Sequence, residues 1–268
     1  MDKVKLVVID LDGTLLDNQK EIHPFNQEMI QKVQQLGIPV TIATGRGMAS
    51  TRKYAEQLGI TEPLITYNGA VISTSDNSRI LQRNLMPLAE TKELIRELED
   101  LDCYFKVYYD EYFLVDQESE LTQAFSKKFF IPYQIVGLKN LATIIESPLK
   151  ITVIESPEKL ERVWQLLQKW SAHFQVCRDS VSGIEITVRS ADKGGALKVL
   201  CQEYGIQPCQ VMAFGNEGND INLIRVAGVG IAVANARPEL KAVARFFTES
   251  NEEQGVGKGL QKYLLRKG

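Results

Sequence analysis

Residues 4–14 read VKLVVIDLDGT. A short run of branched apolar residues, Val4–Ile9, stops abruptly at Asp10-Leu11-Asp12-Gly13. That is the pattern of a strand buried on both faces whose carboxyl end opens into a polar loop. Two further stretches repeat it. Pro39–Ala43 ends in Thr44-Gly45-Arg46, and Gln210–Phe214 ends in the loop Gly215–Asp220. Helical segments fall between these strands. Pro24 can open one, with Met29, Ile30, Val33 and Leu36 at helical spacing and Gly37 as its stop, and another ends near Leu58-Gly59. A third strand, Leu64–Tyr67, runs into the turn signal Asn68-Gly69. Strand, helix, strand, helix, strand with short links predicts a doubly wound parallel α/β sheet.

From about Leu85 the rhythm changes. A helix after Pro87 precedes two adjacent strands, Cys103–Tyr109 and Tyr112–Val115, then a helix over 118–130 and a strand around 133–137. A short helix (138–145), strand Leu149–Ile154 and helix Pro157–Trp170 follow. Strands Phe174–Arg178 and Ile184–Val188 close the segment, joined by Asp179–Gly183. Adjacent strands imply antiparallel hairpins, so this segment reads as an α+β module. After Arg189 the first rhythm returns: helix 193–204, the buried strand at 210–214, a helix, strand Val229–Val233 and a closing helix. The expected organisation is a core of residues 1–84 and 189–268 interrupted by an inserted cap domain, 85–188. The length of 268 residues suits two domains.

Composition narrows the function. Apolar residues make up 44% and charged residues 24%, and 31 Lys and Arg against 34 Asp and Glu give a net charge of −3. Broad phosphate neutralisation on a nucleic acid is therefore not expected. Two histidines, His23 and His173, leave little room for a His-rich zinc site or a Ser-His-Asp triad. Cys103, Cys177, Cys201 and Cys209 show no C-x-x-C spacing, and they read as reduced and mostly buried. The apolar start is too short for a signal peptide or a membrane span. The expectation is a cytoplasmic protein without membrane or nucleic-acid partners, a monomer or weak homodimer.

The polar loops at the strand ends carry the chemistry. Asp10 and Asp12 stand two residues apart, and carboxylates that close repel unless a cation or shared proton relieves them. A hard divalent cation such as Mg²⁺ is one solution; a loop whose acids cap the following turn is the other. Taken singly, Thr44 reads as a helix N-cap, Lys193 as a surface lysine, and Asn216, Asn219 and Asp220 as turn residues. Their joint occurrence, each at a strand end or helix start, points to one site at the carboxyl edge of a parallel sheet.

These segments resemble a known family. IDLDGTLLD, ATGR, the lysine of ADKGGAL, and FGNEGND followed by AGVGIAVANA are similar to the four ordered motifs of the haloacid dehalogenase (HAD) superfamily. The inserted segment has the element order of that superfamily's larger α/β cap. Asn68-Gly69-Ala70 and Thr248-x-Ser250-Asn251-x-x-x-Gly255-Val256 are similar to its Cof-type phosphatases. The resemblance covers essentially the whole chain. It implies a Rossmann-like core and an Mg²⁺-dependent phosphatase acting on small phosphorylated metabolites, such as sugar phosphates or phosphorylated cofactors. It further implies that Asp10 is the nucleophile and that Asp12 is the acid and base. Thr44, the Gly45 and Leu11 amides, Lys193 and Asn219 would then hold the phosphoryl group. The metal would fall to Asp10, the Asp12 carbonyl and the first polar residue of the fourth motif. That residue is usually Asp and is Asn216 here, an amide that supplies no charge, so a larger part as ligand or outer acceptor is expected of Asp220. A phosphoryl-transferring mutase and a weakly active or inactive phospho-metabolite-binding protein are the alternatives; carbon–halogen hydrolysis fits Asp12, Thr44 and Lys193 less well.

Other features read more plainly. About half of the aromatic cluster Tyr104, Phe105, Tyr108, Tyr109, Tyr112 and Phe113 should be core, the rest being candidates to face substrate. Arg46 could reach the substrate or pair with an acid. Gly257-Lys258-Gly259 lacks the spacing of a P-loop, and Gly228-Val229-Gly230 lacks the third glycine of a dinucleotide fingerprint.

Overall fold

The computed structural model describes residues 4–180 and 183–265. Residues 1–3 of the start, and residues 181 and 182 of the expected loop between the last two inserted strands, lie outside the described residues. In chain order the first part holds β1 (Leu6–Ile9), α1 (Pro24–Gln35), β2 (Val40–Ile42), α2 (Met48–Gln57), β3 (Leu64–Thr66), β4 (Val71–Ser73) and β5 (Ile80–Arg83). Next come α3 (Leu88–Asp100), β6 (Phe105–Tyr108), β7 (Phe113–Val115), α4 (Glu120–Phe129), β8 (Tyr133–Ile135), β9 (Lys150–Ile154), α5 (Pro157–Leu167), β10 (Phe174–Ser180) and β11 (Gly183–Val188). The chain closes with α6 (Lys193–Glu203), β12 (Val211–Gly215), α7 (Ile221–Val226), β13 (Val229–Ala232), α8 (Pro238–Lys241), β14 (Phe246–Phe247) and α9 (Gly255–Leu260).

It divides into two compact units. One comprises the chain up to Arg46, Thr51–Gln82 and the chain from Asp192 onward; the other comprises Gly47–Ser50 and Arg83–Ala191. The first unit is built on a five-stranded parallel sheet in the order β14-β13-β12-β1-β2. Every residue of β1 is buried, as its unbroken apolar run requires. Register decides what happens at the edge. Ile9 stands opposite Phe214 on one side and Ile42 on the other, so Asp10, Ala43-Thr44 and Gly215-Asn216 all emerge at the same end. The order of strands reverses between β1 and β12, the crevice where such sheets bind ligands.

Around this sheet the local signals act as their chemistry dictates. His23 caps α1, its Nδ1 accepting from the Phe25 amide at 3.1 Å, and Pro24 supplies the first turn. Met29, Ile30 and Val33 bury the inner face, each worth about 1.5–3 kcal/mol. Leu36, expected on that face, is 64% exposed, because the helix ends at Gln35 and the chain turns away through Gly37.

One strand and one helix expectation need correction, and three strands were not expected. The strand at 64–67 does not extend the parallel sheet; β3 touches it only through an Ala43–Ile65 bridge and pairs antiparallel with β4 in a separate sheet ordered β3-β4-β5. The left-handed turn at Tyr67–Gly69 reverses the chain immediately, which favours a hairpin. Of its three strands β4 and β5 were not foreseen, and neither was the two-residue β14. The inserted unit is a six-stranded sheet, β10-β11-β9-β6-β7-β8, antiparallel except for β7 with β8. Its 138–145 segment forms only a single 3₁₀ turn, Leu141–Thr143. One face of this sheet packs Phe105, Val107, Ile151, Val153, Ile184 and Ile186 into a core with α3 and α5.

Four of the six aromatics at 104–113 are buried: Phe105, Tyr108, Tyr109 and Phe113. Cys103 and Cys201 are buried, Cys177 is half-buried and Cys209 exposed, all as free thiols. Among the described residues, no helix is long and apolar enough to cross a membrane.

Candidate active site

At the carboxyl edge of the first unit's sheet three charged side chains meet. Lys193 is the first residue of α6, whose N-cap is Asp192; that carboxylate accepts from the Gly195 amide at 2.7 Å. From there the fully buried Lys193 Nζ donates to Asp10 Oδ1 at 2.7 Å and to Asp220 Oδ1 at 2.6 Å. The turn that carries Asp220 is closed by its own carboxylate. Oδ2 accepts from the amides of Asn216 at 2.9 Å and Glu217 at 3.0 Å. Both oxygens of Asp220 are thus engaged, which makes it the anchor of Lys193.

One cation between two buried carboxylates leaves an excess of negative charge. Burial, and next the Asp220 charge, push the Asp10 carboxyl up to about 7, against the opposing pull of Lys193. Burial alone would lower the Lys193 ammonium, but Asp10 and Asp220 more than offset it and hold it well above the usual range.

Asp12 has the opposite environment. Its carboxylate is gripped by Arg46, Nε on Oδ2 and Nη2 on Oδ1, both at 2.7 Å, and by Lys20 Nζ at 2.9 Å. Burial raises its pKa, yet the two cations outweigh that and hold the carboxyl well below the ordinary range. Arg46 is steadied in turn by Tyr54, whose hydroxyl accepts from Nη1 at 3.3 Å and donates to the Lys20 carbonyl at 3.0 Å. Sequence spacing left the partner of Arg46 open; the structure assigns it an acid, 34 positions away.

The remaining candidates lie close by. Thr44 is buried, and its hydroxyl accepts from the Arg46 amide at 3.1 Å, so it does not cap α2, which begins four residues later. Asn216 Oδ1 accepts from the Thr14 hydroxyl at 3.1 Å. Gly13 is left-handed at φ 74°, and a Cβ there would run into the Asn216 amide. Asn219 Nδ2 donates to Asn68 Oδ1 at 2.8 Å. Leu11 is buried within the wound loop after β1, where its carbonyl accepts from the amides of Leu15 and Leu16 at 3.0 and 2.9 Å. Asn68, Thr14 and Lys20 were not assigned roles from sequence. Only Asn68 carried a signal, the Asn-Gly pair of a left-handed turn. His23 is a helix cap, and His173 lies on the inserted unit, 3.8 Å from Glu90.

Among the described residues no cluster of three or more His, Cys, Asp and Glu is spaced to hold a metal. The oxygens at the strand ends, the Asp10 carboxylate, the Asp12 carbonyl and the Asn216 amide, are nonetheless of the hard type Mg²⁺ takes, and Mg²⁺ needs only one or two protein carboxylates.

A buried aspartate bound to a lysine at a parallel-sheet edge, with polar loops from three strands beside it, is the setting of a known group. Residues 7–260 match the family described as haloacid dehalogenase-like hydrolase. The chain belongs to this family. It is a phosphatase of the HAD superfamily, of the Cof type. The 5-amino-6-(5-phospho-D-ribitylamino)uracil phosphatase YwtE of Bacillus subtilis is 30% identical over 97% of this chain and 98% of its own. Phosphatase YwpJ of the same organism is 27% identical over 98% of this chain and 100% of its own. Among solved structures, a haloacid dehalogenase-like hydrolase from Bacteroides thetaiotaomicron superimposes with a TM-score of 0.89. It is 25% identical and covers 97% of this chain and 99% of that one. The expected α/β class, a Rossmann-like core carrying an insertion, holds across this HAD phosphatase.

Proposed function

We propose that this phosphatase hydrolyses small phosphorylated metabolites through an aspartyl-phosphate on Asp10. The Asp10–Lys193–Asp220 cluster carries the reading. Lys193 holds the nucleophile's carboxylate in place and supplies the charge that lets an anion approach a phosphoryl group. An Asp10 oxygen attacks phosphorus as the bond to the leaving alkoxide breaks, and the alkoxide takes a proton from Asp12. A water then attacks the phosphoryl-aspartate, passes its proton to Asp12, and releases inorganic phosphate with Asp10 restored. Arg46 and Lys20 hold Asp12 ionised in the resting site, the form needed to receive that proton; before the first step substrate must displace this pair and Asp12 must take up a proton from solvent, which it then gives to the alkoxide. Thr44, the Gly45 and Leu11 amides and Lys193 are the donors for phosphoryl oxygens.

Mg²⁺ fits as the cofactor, held by Asp10, the Asp12 carbonyl and Asn216, where it would offset the repulsion between nucleophile and phosphate. Asp220 serves this arrangement as the anchor of Lys193. The inserted segment, 85–188, is the cap that selects the leaving group, and the partner is a small phosphorylated molecule. The relative named for a phosphorylated ribityl compound, at 30% identity, supports phosphorylated cofactor precursors or sugar phosphates as the substrate class. A panel of such esters, assayed with and without Mg²⁺, tests this. Release of phosphate that requires Mg²⁺ and is lost in Asp10→Asn supports it; retained activity in Asp10→Asn refutes the nucleophile. No turnover, with a phosphate compound raising the melting temperature, would instead favour a binding protein.

A further inference from the structure

Two stretches of the chain, AGVGIAVANA at 227–236 and the run Thr248-x-Ser250-Asn251-x-x-x-Gly255-Val256, hold no residue of the proposed reaction. Their place in the fold is nonetheless close to it. β13 and β14 pair in parallel, Ala232 opposite Phe247, so the residues after each strand emerge at the same carboxyl edge as Asp10. The Thr248 hydroxyl closes the second stretch into a loop by donating to the Gly255 carbonyl at 2.7 Å.

Each stretch offers one asparagine to the loop after β1. Asn235 Nδ2 donates to the Gly13 carbonyl at 2.8 Å, and Asn251 Nδ2 donates to the Leu16 carbonyl at 2.9 Å. The two asparagines are also joined, since the Asn251 amide donates to Asn235 Oδ1 at 3.1 Å. Both of the carbonyls they hold belong to the turn that carries Asp12. Gly13 follows Asp12 directly, in left-handed backbone at φ 74°, and a β-bridge joins Leu16 to Asp12 itself.

The two active-site acids differ in how their backbone is held. The Asp10 amide donates to the Phe214 carbonyl at 3.1 Å as the last rung of the sheet, and Lys193 grips its carboxylate. Asp12 lies beyond that rung, on a turn with a partly exposed side chain. A proton donor must stand within hydrogen-bond reach of the atom it serves, so the turn beneath Asp12 has to be fixed by something other than the sheet.

We propose that Asn235 and Asn251 are positioning residues for Asp12: they pin the turn that carries it, so that its carboxyl meets the oxygen of the leaving group. The inference rests on the reading of Asp12 as acid and base.

Two leaving groups make the test. p-Nitrophenolate departs without a proton, whereas an alkoxide takes one as its bond to phosphorus breaks. p-Nitrophenyl phosphate is therefore compared, in kcat/KM, with the alkyl phosphate of the ester panel that the wild type hydrolyses fastest. A loss of folded enzyme lowers both values together and leaves their ratio alone. Asp12→Asn sets the scale and should lower the alkyl ester ~100-fold or more beyond the nitrophenyl ester. Asn235→Ala and Asn251→Ala should each lower it about tenfold further than the nitrophenyl ester, since small misplacements of a catalytic group cost up to ~100-fold. Asn235→Asp keeps an acceptor for the Asn251 amide but has no donor for Gly13, and it should match Asn235→Ala.

An Asn235→Asp enzyme with the wild-type ratio overturns the inference, because Asn235 then serves only the Asn251 amide. Alanine variants that slow both esters equally overturn it too. Should Asn251→Ala fail to fold, the variants at the exposed Asn235 still decide. A ratio that Asp12→Asn does not move overturns the reading of Asp12 and this inference with it, and hydrolysis of no alkyl ester overturns the phosphatase reading itself.

Discussion

Lys193 in the first unit and Lys150 in the inserted one each hold a carboxylate at 2.6 Å, yet their surroundings differ. Lys193 is shared between Asp10 and Asp220, all three inside the protein, so the cluster carries one more negative charge than positive. Lys150 pairs with Glu185 and lies 5.0 Å from the Tyr108 ring, and its neighbour Lys106, also buried, sits over the Phe125 ring at 3.0 Å. The inserted sheet thus offsets buried charge with an acid and with aromatic faces. The strand-end cluster leaves charge over, and Asp10 feels it. Buried ion pairs are weak evidence for stability; one with charge left over at a sheet edge is better read as part of the proposed active site than as a structural pair.

The substitution that should break this contrast most severely is Asp10→Asn. It removes the nucleophile, and kcat should fall on the order of a thousandfold or more, measured as phosphate release under saturating substrate. Next comes Lys193→Met, which strands two buried carboxylates and should cost about 3–5 kcal/mol in urea unfolding. Lys150→Met strands one carboxylate, less deeply buried, and should cost about 1–3 kcal/mol. Equal losses would erase the distinction between the two lysines. Asn216→Asp adds the charge the family's fourth motif usually supplies, so the Mg²⁺ concentration giving half-maximal rate should fall about tenfold, or roughly 1.4 kcal/mol. An unchanged Mg²⁺ dependence would argue that Asn216 does not touch the metal. The smallest effect is expected on the stability of Arg46→Gln. Its partner Asp12 is 41% exposed, so the lost pair should cost about 1 kcal/mol or less.

Much of the fold could be read from local pattern. Short, mostly apolar runs ending in polar loops located β1, β2 and β12, and glycine and proline marked the ends of α1 and α2. The misreadings share a cause. β5 is a partly exposed strand over Ile80–Arg83 and β14 spans only Phe246–Phe247, so neither has an apolar period to recognise. The run at 64–67 looks like a parallel strand because its core-facing chemistry is the same; the turn at Tyr67–Gly69, not the strand, sets its direction. The candidate site was legible as a set of strand-end residues and illegible as a network. Lys193 reaches Asp10 across 183 positions, and Asn219 reaches Asn68 across 151. No spacing rule anticipates that Arg46 would claim Asp12, or that both oxygens of Asp220 would be engaged by Lys193 and two amides.

Every role assigned here depends on covalent chemistry at one carboxylate. The direct measurement is mass spectrometry of the enzyme acid-quenched during turnover of a hydrolysed ester, with the peptide containing Asp10 sequenced. A phosphoryl group on Asp10, absent from Asp10→Asn, is the predicted result. Full turnover with the phosphoryl group found on another residue would contradict it.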